Sequence, residues 1–180
     1  MGLWKRLRKY NVMKSYQKEK TGFTLVEILV VVVVLALAMW AAVPMFSGAA
    51  SIQVQSAANM IAADLEYAKS MAISRQRQYG ISFNPGVETY SVIDQNGVVI
   101  PHPVKTGFLY TIDFHNDSRL NQVDLASVNF DGNNLIKFDY LGSPLKSDGS
   151  PLNSGTVTLQ GGGITITITV EPVTGYIRIQ

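Results

Sequence analysis

One carboxylate stands alone in the most apolar part of the chain. From Phe23 to Phe46 the only ionisable side chain is Glu27. A run of that length is enough to cross the roughly 30 Å hydrocarbon layer as a helix. A carboxylate on such a helix costs on the order of 2–3 kcal/mol at mid-membrane and less near the interface. The chemistry that removes this cost is a countercharge, since an ammonium and a carboxylate meeting in low dielectric relieve each other's desolvation. Thr24-x-x-Glu27 is also a literal capping box, able to start any helix. The run taken alone also fits an ordinary signal anchor.

Elsewhere the chemistry-bearing residues are sparse. Asp113, His115 and Asp117 alternate, so on a strand they share a face and are of metal-ligating type; in a polar segment they read as solvated side chains. Asp131-Gly132-Asn133-Asn134 and Asp148-Gly149-Ser150 resemble fragments of calcium loops and are equally ordinary turns. Arg119, Lys137, Lys146 and Arg178 are the cations that a nucleic acid would need gathered in one place. The sequence has no Gly-x-Ser-x-Gly elbow, no phosphate-binding glycine loop and no His-Glu-x-x-His pair. Neither an enzyme, a metal site, a cofactor nor a small-molecule substrate is expected.

The elements that would position Glu27 come next. The chain has 180 residues and no cysteine, with a net charge of +2. That charge is split. Residues 1–22 hold seven basic residues against Glu19, leaving eight basic against twelve acidic residues in the remainder. A basic flank before an apolar helix stays in the cytoplasm, which puts everything after Phe46 on the other side. Without disulfides, a domain there must rely on its hydrophobic core. Past Pro44 and Gly48 the pattern turns amphipathic: Val54, Ala58, Ile61, Leu65, Ala68 and Ala72 recur at spacings of three and four on one face. Gln53, Gln55, Asn59, Asp64, Glu66, Ser70 and Ser74 fall mostly elsewhere. Pro44 leaves the carbonyl of Trp40 without its helical partner, so a bend or local melting is expected there, with Trp40 as an interfacial anchor. Met13 is a second possible start.

From Tyr79 the period changes to two. Strands are expected at Tyr79–Phe83, Thr89–Asp94, Val98–Ile100, Leu109–Phe114, Ser127–Phe130, Lys137–Tyr140, Thr156–Gln160, Ile164–Val170 and Tyr176–Ile179. Asn96-Gly97 gives a type I′ hairpin signal. Residues 101–107, 116–124 and 142–155 read as loops. In the Ile164–Val170 strand the isoleucines and Val170 face a core, as do Ile177 and Ile179.

Gly22-Phe23-Thr24-Leu25-Val26-Glu27, after a basic leader and before an unbroken apolar run, resembles the prepilin-type N-terminus of type IV pilins and type II secretion pseudopilins. The resemblance implies cutting by a prepilin peptidase between Gly22 and Phe23 and methylation of the new N-terminus at Phe23. It implies that Glu27 pairs with the N-terminal amine of a neighbouring subunit in a fibre, with Thr24 and Pro44 in the same assembly segment. The string Leu65-Glu66-Tyr67-Ala68-Lys69-Ser70-Met71-Ala72-Ile73-Ser74-Arg75, with Phe138…Gly142 and Pro172-Val173-Thr174-Gly175-Tyr176-Ile177-Arg178-Ile179, is similar to the GspH/FimT-type domain. Lys69 replaces its common arginine, and Tyr176 the arginine after glycine.

The expected fold is therefore α+β: a long N-terminal helix, transmembrane in its first half and amphipathic in its second, packed on a C-terminal antiparallel β domain. The expected domains are residues 1–22 as a leader removed on processing, 23–46 as the transmembrane assembly helix, 47–77 as the amphipathic helix, and 78–180 as the periplasmic β domain. The implied function is that of a minor pseudopilin in a type II secretion pseudopilus, anchored once in the inner membrane and entering a periplasmic fibre. The alternative is a FimT-like minor pilin of a type IV pilus, serving assembly, motility or DNA uptake. A third reading is a signal-anchored periplasmic binding domain that never polymerises. The implied partners are other pilins or pseudopilins through the N-terminal helix, the prepilin peptidase and inner-membrane lipid. Nucleic acid is not expected. FimT-like proteins that capture DNA use a Gly-Arg-x-Arg turn, and Gly175-Tyr176-Ile177-Arg178 retains one arginine, making Arg178 the candidate contact. The acidic balance after the leader opposes the phosphate-neutralising term that dominates DNA affinity.

Overall fold

The computed structural model describes residues 22–180, with the backbone alone for residues 40–47. The basic leader, Met13 and the side chains of Trp40, Pro44 and Phe46 lie outside the described residues. The chain divides into two units, Met1–Ala41 and Ala42–Gln180, each described by itself.

In the first unit, the helix α1 (Leu25–Arg75) begins. Leu25 to Met39 expose large apolar side chains all round the helix, from Leu25 at 82% to Val31 at 48%. A helix that is apolar on every side belongs in apolar surroundings. Among the described residues no helix is long and apolar enough to cross a membrane. The described side chains of the run stop at Met39, and the sequence carries it on to Phe46. The helix is unbroken at Pro44, so of the bend or local melting that the sequence reading expects there, the melting is absent. A proline removes one N–H and the neighbouring turns keep theirs.

In the second unit, the face expected from the spacing is the buried one: Val54, Ala58, Ile61, Leu65, Ala68 and Ala72 are all fully buried, joined by Ala57. The helix ends at Arg75, followed by Gln76 at φ +51°. Arg77 N–H then reaches back to Ala72 O at 3.3 Å, a Schellman-type closure that satisfies an orphan carbonyl.

Nine strands follow: β1 (Tyr79–Asn84), β2 (Thr89–Asp94), β3 (Thr111–Asp113), β4 (Asp124–Phe130), β5 (Leu135–Phe138), β6 (Pro144–Leu145), β7 (Gly155–Gly161), β8 (Ile164–Val170) and β9 (Ile177–Ile179). They form two antiparallel sheets, ordered β3-β2-β1-β5-β6 and β4-β7-β8-β9. Side chains from both sheets and from α1 join one core, with Tyr90, Phe114, Phe130 and Phe138 its largest members. This is the α+β architecture that the sequence implies.

Five local expectations fail. Val98–Ile100 is not a strand but a single bridge, Ile93 to Val99. The turn before it is closed by Gly97 N–H donating to Asp94 O, with Gly97 at positive φ and Asn96 not. A type I′ turn needs both at positive φ, so this is a three-residue loop instead. The Asp94 carboxylate organises it by accepting the N–H groups of Asn96 and Val98, both at 2.9 Å. The loop expected at 142–155 contains β6, too short to show a period and led by a proline that an edge strand tolerates. β4 starts at Asp124, inside the expected polar loop, and is irregular between Asp124 and Ser127. Ile164 is exposed at the turn end of β8, beyond the core that takes Ile166, Ile168 and Val170.

Candidate functional site

The start of α1 is built by Thr24. Its hydroxyl accepts the Glu27 N–H at 3.2 Å, and its carbonyl accepts the Ile28 N–H at 3.2 Å. Thr24 is thus a helix N-cap, which satisfies one of the orphan donors. A full capping box would also bring the Glu27 carboxylate back to the Thr24 N–H. That half is not formed: among the described residues Glu27 accepts nothing through its side chain. The carboxylate sits in the first turn, where the helix dipole favours a negative charge. Phe23 is exposed, and a Cβ placed on Gly22 would meet no atom within 4 Å. The chain's own packing makes no demand for glycine at that position.

A second polar cluster escaped the sequence reading. Asp64 was set among the residues off the buried face, yet it is only 7% exposed. Its carboxylate accepts the Tyr90 hydroxyl from β2 at 2.7 Å and the Tyr110 hydroxyl, just before β3, at 2.6 Å. Burial raises its pKa, and the hydrogen bonds from the two tyrosine hydroxyls pull it part of the way back down. Burial and the adjoining carboxylate push both tyrosines well above their ordinary range. Two aromatic neighbours enclose Tyr110: the Tyr67 ring at 5.7 Å and the His102 ring at 4.5 Å. The cluster ties helix to sheet. It holds no nucleophile or open substrate space, so its chemistry is structural.

The other candidates are dispersed. Asp113 accepts from the Asn116 N–H and side-chain amide, which hold its pKa below the usual value. Asp117 takes the Arg119 guanidinium at 2.6 Å and is lowered to about 2 by that bond. Among the described residues no group of three His, Cys, Asp or Glu is placed to hold a metal ion. Asp131 accepts the N–H groups of Asn153 and Ser154 at 2.8 and 3.0 Å. Asp148 closes its own turn on Ser150. Both therefore serve as turn anchors. Three of the four cations are engaged as well: Arg178 pairs with Glu171 and Arg119 with Asp117, while Lys137 donates to the Gln95 carbonyl.

The three strings that carry the subgroup resemblance meet in space. Lys69 on α1 donates to the Gly175 carbonyl at 3.0 Å and pairs with Glu66. Gly175 lies at φ +60°, and a Cβ there would come within 2.7 Å of the Gly142 carbonyl and 3.2 Å of Phe138. Only glycine allows this crossing of the C-terminal turn over the loop after β5. Sequence reading found the strings without finding that they form one joint.

A family model described as type II transport protein GspH matches residues 57–174. One described as a prokaryotic N-terminal methylation motif matches residues 17–43. No curated protein matches the chain. Two solved structures of the type IV minor pilin FimU from Pseudomonas aeruginosa (strain PAO1), in different crystal forms, are similar. The first is 17% identical with a TM-score of 0.49, covering 72% of this chain and 90% of that one. The second is 18% identical with a TM-score of 0.44, covering 70% and 91%.

Proposed function

The chain belongs to the GspH family of type II transport proteins and is a minor pseudopilin, and from that premise we propose that it is cut between Gly22 and Phe23, methylated at Phe23, and built into a fibre through α1. The observation that carries this is the first stretch of α1. It is apolar on every side, it holds Glu27 as its sole ionisable group, and it begins directly behind Gly22-Phe23. The neighbouring subunits' helices and, before assembly, inner-membrane lipid supply the apolar surroundings that such a helix needs. Thr24 fixes where the helix begins. Glu27, left open by the half-formed capping box, meets the amine of a neighbour's Phe23 and sets register. The requirement for glycine at 22 has no origin in the chain's own packing, which supports recognition by a processing peptidase. Pro44 belongs to the same assembly segment. The β domain faces the periplasm and contacts partner pseudopilins or cargo.

The test separates processing from assembly. Gly22→Ala should leave domain stability unchanged and block cleavage, read by intact mass. Glu27→Ala should still be cut and methylated but be absent from sheared fibres. Normal incorporation of Glu27→Ala would refute the register role, and a protein that keeps its leader in cells with an active prepilin peptidase would refute the whole reading.

A further inference from the structure

The segment from Pro101 to Leu109 projects Val104, Phe108 and Leu109 into solvent. Its ends are tied: the His102 N–H donates to Phe108 O and the Tyr110 N–H to Ile100 O, each at 2.8 Å. Inside the turn, the N–H groups of Val104 and Lys105 both point at one atom, Nδ1 of His102, each at 3.1 Å. An imidazole nitrogen that accepts two N–H groups carries no proton. The ring here is therefore neutral, with its hydrogen on Nε2.

We infer that His102 is a proton-operated latch on this loop. When neutral, it holds the turn shut through the two amides. When protonated, its Nδ1 becomes a donor facing two donors, and the turn is released. Histidine is the side chain whose unperturbed charge change falls between pH 5 and 8. The titratable groups around the imidazole are Tyr110, whose tilted ring lies 4.5 Å from it, Lys105, whose backbone N–H it accepts, and, behind Tyr110, Tyr67 and Asp64 on α1. Asp64 is the one anion among them. The exposed apolar residues of the loop are presented in a fixed geometry at neutral pH and in a mobile one under acid.

Hydrogen exchange on the full chain in detergent micelles tests this, with exchange times scaled for the intrinsic rate at each pH. Protection of the Val104 and Lys105 amides should fall by up to about tenfold between pH 8 and pH 5.5, the most that protonating an ordinary imidazole in the open loop can supply at that pH, while the Ile61 and Ile81 amides stay protected. His102→Ala should be unprotected in the loop at both pH values. His102→Asn supplies a permanent oxygen acceptor to the same two amides and should keep them protected at both. Loop protection that is flat with pH in the unmodified chain, or a pH step that persists in His102→Asn, would overturn the latch.

Discussion

Replacing Tyr90 by phenylalanine isolates the value of the buried Asp64 cluster. The substitution keeps the ring in the core and deletes one hydroxyl that donates to Asp64 at 2.7 Å. A hydrogen bond to a charged group is worth about 1.5–3 kcal/mol net, and the phenyl ring leaves no orphan of its own. The expected loss is about 2 kcal/mol, or roughly 8 °C in midpoint for a domain of this size. Removing Tyr110 as well strands a nearly buried carboxylate without a donor, so the double change should cost more than the two single ones together. Asp64→Asn points the other way. The amide still accepts from one hydroxyl and donates to the other, and the buried charge is gone, so stability at pH 7 should lie within about 1 kcal/mol of the unmodified protein. The pH dependence fixes the sign. Burial raises the folded-state pKa of Asp64 above its unfolded value of 3.8, so its contribution to stability is full below that value and lost as pH rises through the folded pKa. On acidification from neutral pH the unmodified domain therefore gains from this group, and Asp64→Asn does not. Urea unfolding of the full chain in micelles, followed by near-ultraviolet circular dichroism of the tyrosines, reads both effects. A Tyr90→Phe cost below about 0.5 kcal/mol, or equal pH slopes for Asp64→Asn and the parent, would refute the reasoning.

Two further outcomes are expected. Gly175→Ala places a Cβ within 2.7 Å of the Gly142 carbonyl at φ +60°, and should lower stability by about 2 kcal/mol or more in thermal unfolding, since a backbone oxygen cannot step aside. Arg119→Ala removes the guanidinium bond, the largest of the causes that lower Asp117 to about 2, and keeps the bond from its own N–H, so carboxyl NMR should find Asp117 titrating higher than in the parent and still below its ordinary value of 3.8. Asp117 then loses part of the stabilisation that, in the parent, is present above its unfolded value and disappears as pH falls through about 2. Both groups lie at the surface, so overall stability should scarcely respond.

What the sequence disclosed depended on how far each signal extends. The buried face of α1 was legible because six residues share one period over nineteen positions, and β8 because four apolar residues alternate with threonines. The segment around Glu27 was legible from composition alone. Asp64 was not. It is a polar residue on the flank of the helix, and what makes its burial tolerable are two hydroxyls 26 and 46 residues further on. No local pattern announces such a partnership, although a tyrosine in place of an aliphatic at core positions of β2 is its trace. β6 was missed because two residues carry no period. The turn at Asp94 was misassigned because Asn-Gly marks more than one loop length, and the choice fell to a carboxylate outside the dipeptide. The joint at Gly142 and Gly175 was present as three separate strings whose common purpose needed coordinates.

That joint also has a bearing on how the domain comes into being. Lys69 closes on a carbonyl 106 positions later, and the helix face from Val54 to Ala72 finds its cover in strands as late as β8. A ribosome delivering this chain amino end first releases a greasy half-cylinder long before the residues that will roof it exist. The bond from Lys69 cannot close until residue 175 has been made. A chain that stops before Gly175 would lack both this joint and β9.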